Sequence, residues 1–204
     1  MRLISFGSSN TYGFGLEDCT ELEHSPSKLA WPSILAQEIG KECVNLGILG
    51  GSNKRILLDI LNYEFQNNDI VVVLWTRYHR ALLLDDKGDP INIYVSDTNK
   101  EKEKLIKRYY ELHNDFDLLN DTVLNIHHAS SYLKSIGVRN FHFYFDRTLD
   151  NFIKTKNKLP INAEFTEQMQ VDVGSDGVHP GPKSHRNMAG HLFNIIREKS
   201  SNNE

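Results

Sequence analysis

The sequence predicts a three-layer α/β fold built on a parallel sheet, and three observations carry that expectation. Short apolar runs alternate along the chain with stretches whose apolar residues recur at helical spacing. Ile70-Val71-Val72-Val73-Leu74-Trp75 is apolar on both faces, as a central parallel strand covered on each side must be. The runs at 3–6 and 42–46 each break into a glycine-containing turn before the next helical pattern. Right-handed crossovers then gather the turns after Phe6, Leu46 and Trp75 on one edge of the sheet.

In chain order, Leu3-Ile4-Ser5-Phe6 is the first strand and ends abruptly in Gly7-Ser8-Ser9-Asn10-Thr11-Tyr12-Gly13. Residues 28–39 read as a helix, with Leu29, Trp31, Ile34, Leu35 and Ile39 on one stripe and Pro32 confined to its first turn. After Gly40, residues 42–46 form a second strand. The glycine-rich turn Gly47-Ile48-Leu49-Gly50-Gly51-Ser52-Asn53 leads to a helix over 54–65, whose Ile56, Leu57, Ile60, Leu61 and Phe65 face the core.

The third strand, 70–75, runs out into Thr76-Arg77-Tyr78-His79-Arg80. Residues 81–94 read as a hairpin turning at Asp85-Asp86-Lys87-Gly88-Asp89-Pro90, within a surface insertion over 81–98. The charged stretch 99–107 is a solvated helix face, leading through Tyr109, Tyr110 and Leu112 to a helix over 117–135. Residues 140–145 are a fourth strand of aromatic and β-favouring residues. Residues 147–170 carry no clear pattern. Asp176-Gly177-Val178-His179-Pro180-Gly181-Pro182 is a rigid turn before a last helix over 183–199, with Met188, Leu192, Ile195 and Ile196 inward. Without repeats, low-complexity linkers or a break in composition, the expectation is one domain over 1–204.

A chain of 204 residues with 39% hydrophobic and 25% charged residues is long enough to bury a core of its own. A net charge of -4 offers no field to draw in nucleic acid or an anionic membrane. Cys19 and Cys43 are too few for a disulfide framework. No apolar stretch approaches 18 residues and the amino terminus enters a strand directly, so a cytoplasmic location is expected. His127-His128 and His185 with His191 lack convincing zinc-ligand spacing and read as helix-surface histidines; no metal is expected. The Gly47-to-Asn53 turn lacks the Gly-Lys-Ser/Thr of a phosphate loop, so no nucleotide is expected either.

The residues that suit chemistry lie in three turns. Small hydroxyl side chains at the carboxyl end of a buried strand, here Ser8 and Ser9, are well placed for a nucleophile, although Gly, Ser and Asn also dominate ordinary turns and helix caps. Asp176 and His179, three apart and pinned by Gly177 and Pro180, can face one way. A carboxylate on one imidazole nitrogen fixes the tautomer and frees the other nitrogen to accept a hydroxyl proton. A turn with an incidental histidine would look the same.

Taken together, the blocks resemble the SGNH or GDSL hydrolase superfamily of lipases and esterases. Phe6-Gly7-Ser8-Ser9-Asn10-Thr11 resembles its first block, with Ser9 at the nucleophile. Asn45-Leu46-Gly47-Ile48-Leu49-Gly50 resembles the second, with Gly50 supplying an oxyanion amide beside that of Ser9. Asp176-Gly177-Val178-His179-Pro180 resembles the last. The match, in order, spans nearly the whole chain. The resemblance implies a flavodoxin-like sheet flanked by helices, a Ser9-His179-Asp176 triad, and cofactor-free hydrolysis of an acyl ester, with an O-acetylated carbohydrate or other small molecule as substrate. An acyltransferase would use the same residues, and a binding or structural module would keep the fold without the chemistry.

Two positions depart from the family's pattern. Its acidic residue before the nucleophile is Ser8 here, so Ser9 is assigned from the following Asn10-Thr11. Its third block carries Gly-x-Asn-Asp after the central strand, whereas this chain has Trp75-Thr76-Arg77-Tyr78. Arg77, Thr76 or Asn53 is then the candidate for the missing side-chain donor. Loss of one such donor costs about 2.7–4 kcal/mol of transition-state stabilisation where nothing replaces it. Trp75, Thr76, Tyr78 and His79 are the candidate substrate-binding residues.

Overall fold

In the computed structural model, which describes residues 1–21, 25–94, 100–144, 163–164 and 169–201, β1 (Arg2–Gly7) runs into the one-turn helix α1 (Ser9–Tyr12). There follow α2 (Trp31–Glu38), β2 (Glu42–Gly47), α3 (Asn53–Asn62) and β3 (Ile70–Trp75). The hairpin of β4 (Ala81–Leu84) and β5 (Pro90–Ile93) precedes α4 (Lys100–Leu112) and α5 (Asp115–Ser135). The chain then passes through β6 (Arg139–Tyr144), β7 (Ala163–Glu164) and α6 (Pro182–Ser201).

The five strands β2-β1-β3-β6-β7 lie parallel in that order, which is the flavodoxin-like order. Because β1 sends its neighbours β2 and β3 to opposite sides, a crevice opens at the carboxyl ends of β1 and β3. The register places Gly7 opposite both Gly47 and Leu74, so all three outgoing loops start at one level.

Strand periodicity divides the core. Leu3, Val72 and Phe143 point to the face covered by Trp31 and Leu35 of α2 and by Met188, Leu192 and Ile196 of α6. Ile4, Val71 and Val73 point to the face covered by Ile56 and Ile60 of α3 and Ile126 and Leu133 of α5. Each such side chain contributes about 1.5–3 kcal/mol on full burial. Burial of every residue of β3 bears out its reading as the central strand.

Several boundaries differ from the expected ones for local reasons. The helix expected from residue 28 begins at Trp31, because Ser27 Oγ accepts from Leu29 N and holds a turn, and Ala30 is extended. Pro32 falls in the first turn, as required. The helix expected to reach Phe65 stops at Asn62, yet Tyr63 still packs edge-on to Phe6 at 5.9 Å between centroids. The long amphipathic stretch divides at Asn114, whose side chain accepts from Phe116 N and Asp117 N while Asp117 answers to Asn114 N. β7 emerges from the unpatterned stretch 147–170, most of which, like residues 95–98 of the expected insertion, lies outside the described residues.

His185 is not a surface histidine. It is fully buried, its Nδ1 accepts from Trp31 N at 3.0 Å, and burial pushes its pKa down to about 4. Among the described residues, no helix is long and apolar enough to cross a membrane.

Candidate active site

The first loop is clamped onto the second by backbone contact. Ile48 N donates to Gly7 O at 2.9 Å, and Asn45 Nδ2 reaches across to Thr11 O at 2.7 Å while its Oδ1 accepts from Gly47 N. A β-carbon at Gly47 would stand 2.3 Å from Tyr12 N, so only glycine permits the approach. Ser8 is the extended residue before α1, and Ser9 is its first helical residue, 6% exposed. Gly13, at φ 87°, ends the turn of helix and its N–H donates to Ser9 O.

The last loop is held from both sides. Ser175 N and Oγ both donate to Gly15 O, at 2.8 and 3.0 Å, tying it to the first loop. Behind it, Asp172 caps α6 by accepting from Lys183 N at 2.9 Å and Ser184 N at 2.7 Å, with Pro182 at the first helical position. Within the loop, Gly174 N donates to His179 O, and Asp176 Oδ1 accepts from Val178 N and His179 N.

This frame aligns three side chains. Asp176 Oδ2 lies 2.5 Å from His179 Nδ1, and His179 Nε2 lies 2.9 Å from Ser9 Oγ. The ring of Phe14 meets that of His179 edge-on at 5.5 Å. Burial works to raise the Asp176 pKa, but the hydrogen bonds from His179 and from the Val178 and His179 amides outweigh it and hold the carboxyl below its ordinary value. An ionised Asp176 accepts from Nδ1 and leaves Nε2 as the acceptor for the Ser9 hydroxyl proton. Ser8, one residue earlier, caps no amide with its side chain.

In the second loop, Gly51 N donates to Ile48 O while Gly50 takes φ 67°, which makes 48–51 a type II turn. The Gly50 N–H takes no part in the turn's own hydrogen bond. The amide of Ser9, in the first turn of α1, has no intrahelical acceptor.

Among the described residues, none of the remaining sequence candidates hydrogen-bonds to Ser9. Asn53 is 2% exposed and committed elsewhere: Nδ2 donates to Thr76 O and Thr122 Oγ1, and Oδ1 accepts from Thr76 N. It fastens α3 to the end of β3 and to α5, and Thr76 is buried as its partner. Trp75 is fully buried, stacked on His142, and its Nε1 donates to His142 Nδ1 at 3.1 Å. These corrections have separate causes: Trp75 and Thr76 lie at the end of a central strand, where a side chain is as apt to turn inward as outward, whereas Asn53 opens α3 and is held inward by its bonds to Thr76 and Thr122. Arg77 is exposed, with no ion pair among the described residues. Tyr78 and His79 line a cavity with Tyr110 and His113, the Tyr110 hydroxyl donating to His79 O, and Tyr78 also lines the adjoining cavity beside Asn53 and Arg80.

The sequence reading missed Phe14, Gly15 and Asp172. Phe14 and Gly15 directly follow the first block and were legible as an extension of it. Asp172 caps a helix that starts ten residues later in the chain, which no local capping pattern reveals.

No protein-family model and no curated protein matches the sequence. Solved structures share its fold. An acetyl xylan esterase from the rumen bacterium Butyrivibrio proteoclasticus superposes with a TM-score of 0.58 at 15% identity, over 98% of this chain and 64% of that one. A G-D-S-L family protein from Desulfitobacterium hafniense DCB-2 gives 0.56 at 12% identity, over 95% of this chain and 98% of that one. A member of the lipolytic G-D-S-L family from Veillonella parvula DSM 2008 gives 0.54 at 14% identity, over 97% and 98%. The chain thus spans about two thirds of the esterase and nearly all of the two G-D-S-L proteins. It has the fold of SGNH and GDSL hydrolases.

Proposed function

We propose that this protein is an ester hydrolase that removes a small acyl group, such as O-acetyl, from a carbohydrate or other small-molecule ester. The observation that carries the reading is the chain of contacts from Asp176 through His179 to Ser9, at 2.5 and 2.9 Å. Its presence at the crevice beside β1 and β3, on a fold shared with an acetyl xylan esterase, supports it further.

The reaction is a double displacement. Ser9 Oγ bonds to the acyl carbon as its proton passes to His179 Nε2, and Asp176 stabilises the imidazolium that forms. The amides of Ser9 and Gly50 donate to the developing oxyanion. Collapse breaks the bond to the alcohol, which leaves with the proton from His179. Water then attacks the acyl-enzyme, giving up its proton to His179 and releasing the acid, and Ser9 recovers its proton.

The exposed Arg77 in place of the third-block Asn favours a second reading, a carbohydrate-binding module on the same fold. Labelling with a fluorophosphonate separates the two. Covalent modification of the wild type that is absent in Ser9→Ala supports the hydrolase. A folded wild type that takes no label overturns it and leaves the binding module.

A further inference from the structure

Arg80 follows the outgoing loop of β3 and is half-buried where the hairpin β4–β5 folds back over the second loop. Its Nη1 lies 3.5 Å from Gly51 O, and the ring of Tyr94 stands 3.5 Å from where a β-carbon of Gly50 would be. The guanidinium is therefore one residue from the amide assigned above to the oxyanion. Among the described residues no carboxylate pairs with it. The groups that face it are Arg77, Tyr94 and Tyr110, a second cation and two phenols. Desolvation and Arg77 both press its pKa below the ordinary value, and burial pushes that of Tyr110 up to about 12, so Tyr110 supplies no charge at neutral pH.

Arg80 also lines a cavity of about 350 Å³ together with Lys54, His113 and His128, against the single carboxylate of Asp121. Lys54 sits in the first turn of α3, the positive end of that helix's dipole. A guanidinium withdrawn from water without a counter-charge is costly, and its planar fork fits a carboxylate or phosphate. We propose that this cavity is an anion subsite, in which Arg80 and Lys54 bind a carboxylate or phosphate carried by the substrate. Its assignment to the substrate rests on the esterase reading, whereas anion binding itself does not.

Calorimetric titration of the full chain with inorganic phosphate, and separately with benzoate, reads binding. The ratio of kcat/KM for para-acetoxybenzoate to that for phenyl acetate reads its use in catalysis. The expected result is saturable binding of at least one anion, weakened about tenfold or more in R80Q and less in R80K, with the ratio falling about tenfold in R80Q. No saturable binding of either anion, or binding that R80Q and K54Q leave unaltered, overturns the proposal. Binding lost in R80Q with an unchanged ratio overturns the assignment to substrate. Arg80-dependent binding in a protein that hydrolyses neither ester keeps the anion site and removes the esterase reading. If R80Q melts early, R80K and the exposed K54Q carry the same comparisons.

Discussion

Gly15 is packed so tightly against Asp176 that a β-carbon at position 15 would stand 2.8 Å from Asp176 Oδ1. Gly15 also sits at φ 89°, where side chains are strained, and its carbonyl anchors Ser175. The carboxylate that orients His179 is thus seated on the bare backbone of the loop that carries Ser9.

Gly15→Ala should therefore act on both stability and activity. The backbone strain costs roughly 1–3 kcal/mol, and displacement of Asp176 should lower kcat more than it raises KM. A thermal melt and steady-state kinetics on an acetyl ester check this. Unchanged kcat in a folded G15A protein would show that Asp176 does not depend on this contact.

Asp176→Asn keeps an oxygen for the Val178 and His179 amides, so the turn should survive and the melting temperature should change little. The carboxamide cannot hold the Nδ1-protonated ring as a carboxylate does. The expected loss in kcat is about 10⁴-fold, by analogy with serine hydrolases in general. Retained turnover would remove Asp176 from the relay.

Asn53→Ala should cost stability rather than chemistry. It leaves the buried Thr76 amide and carbonyl without their partners, worth about 2–4 kcal/mol together. Fluorophosphonate labelling of the folded fraction should proceed at nearly the wild-type rate. A large drop in labelling with an unchanged melting temperature would restore Asn53 as an oxyanion donor.

Acid should weaken the fold before carboxylates protonate. Burial pushes His142 down to about 3, aided by Lys134, and His185 down to about 4, from an ordinary value of 6.5. The unfolded chain takes up these protons first, so their stabilisation is complete above about pH 6.5 and is lost progressively towards 3 to 4. By about pH 4 the loss is on the order of 3 kcal/mol for each. Asp172 and Asp176, held below their ordinary 3.8, lose their contribution only at lower pH. Melting temperatures that stay flat from neutral pH to about 4 would contradict the burial of both histidines.

Much of the frame was legible because it rests on short-range pattern. The apolar run of β3, the helical stripes and the glycine turns determine the alternation of strands and helices, and alternation with short crossovers brings the loops to one edge. The spacing of Asp176 and His179 likewise determines that one turn can hold both. The tertiary structure supplied the contact behind the choice of Ser9 over Ser8, for which the sequence offered only the following Asn10-Thr11, since it decides which hydroxyl meets an imidazole 170 positions away in sequence. It also turned Asn53, Thr76 and Trp75 into the core, buried His185 beneath α2, and set Arg80 beside Gly51 instead of leaving Arg77 as the notable cation. Side-chain direction at a strand's end, and the company a buried charge keeps, follow from long-range packing and desolvation, which local sequence does not encode.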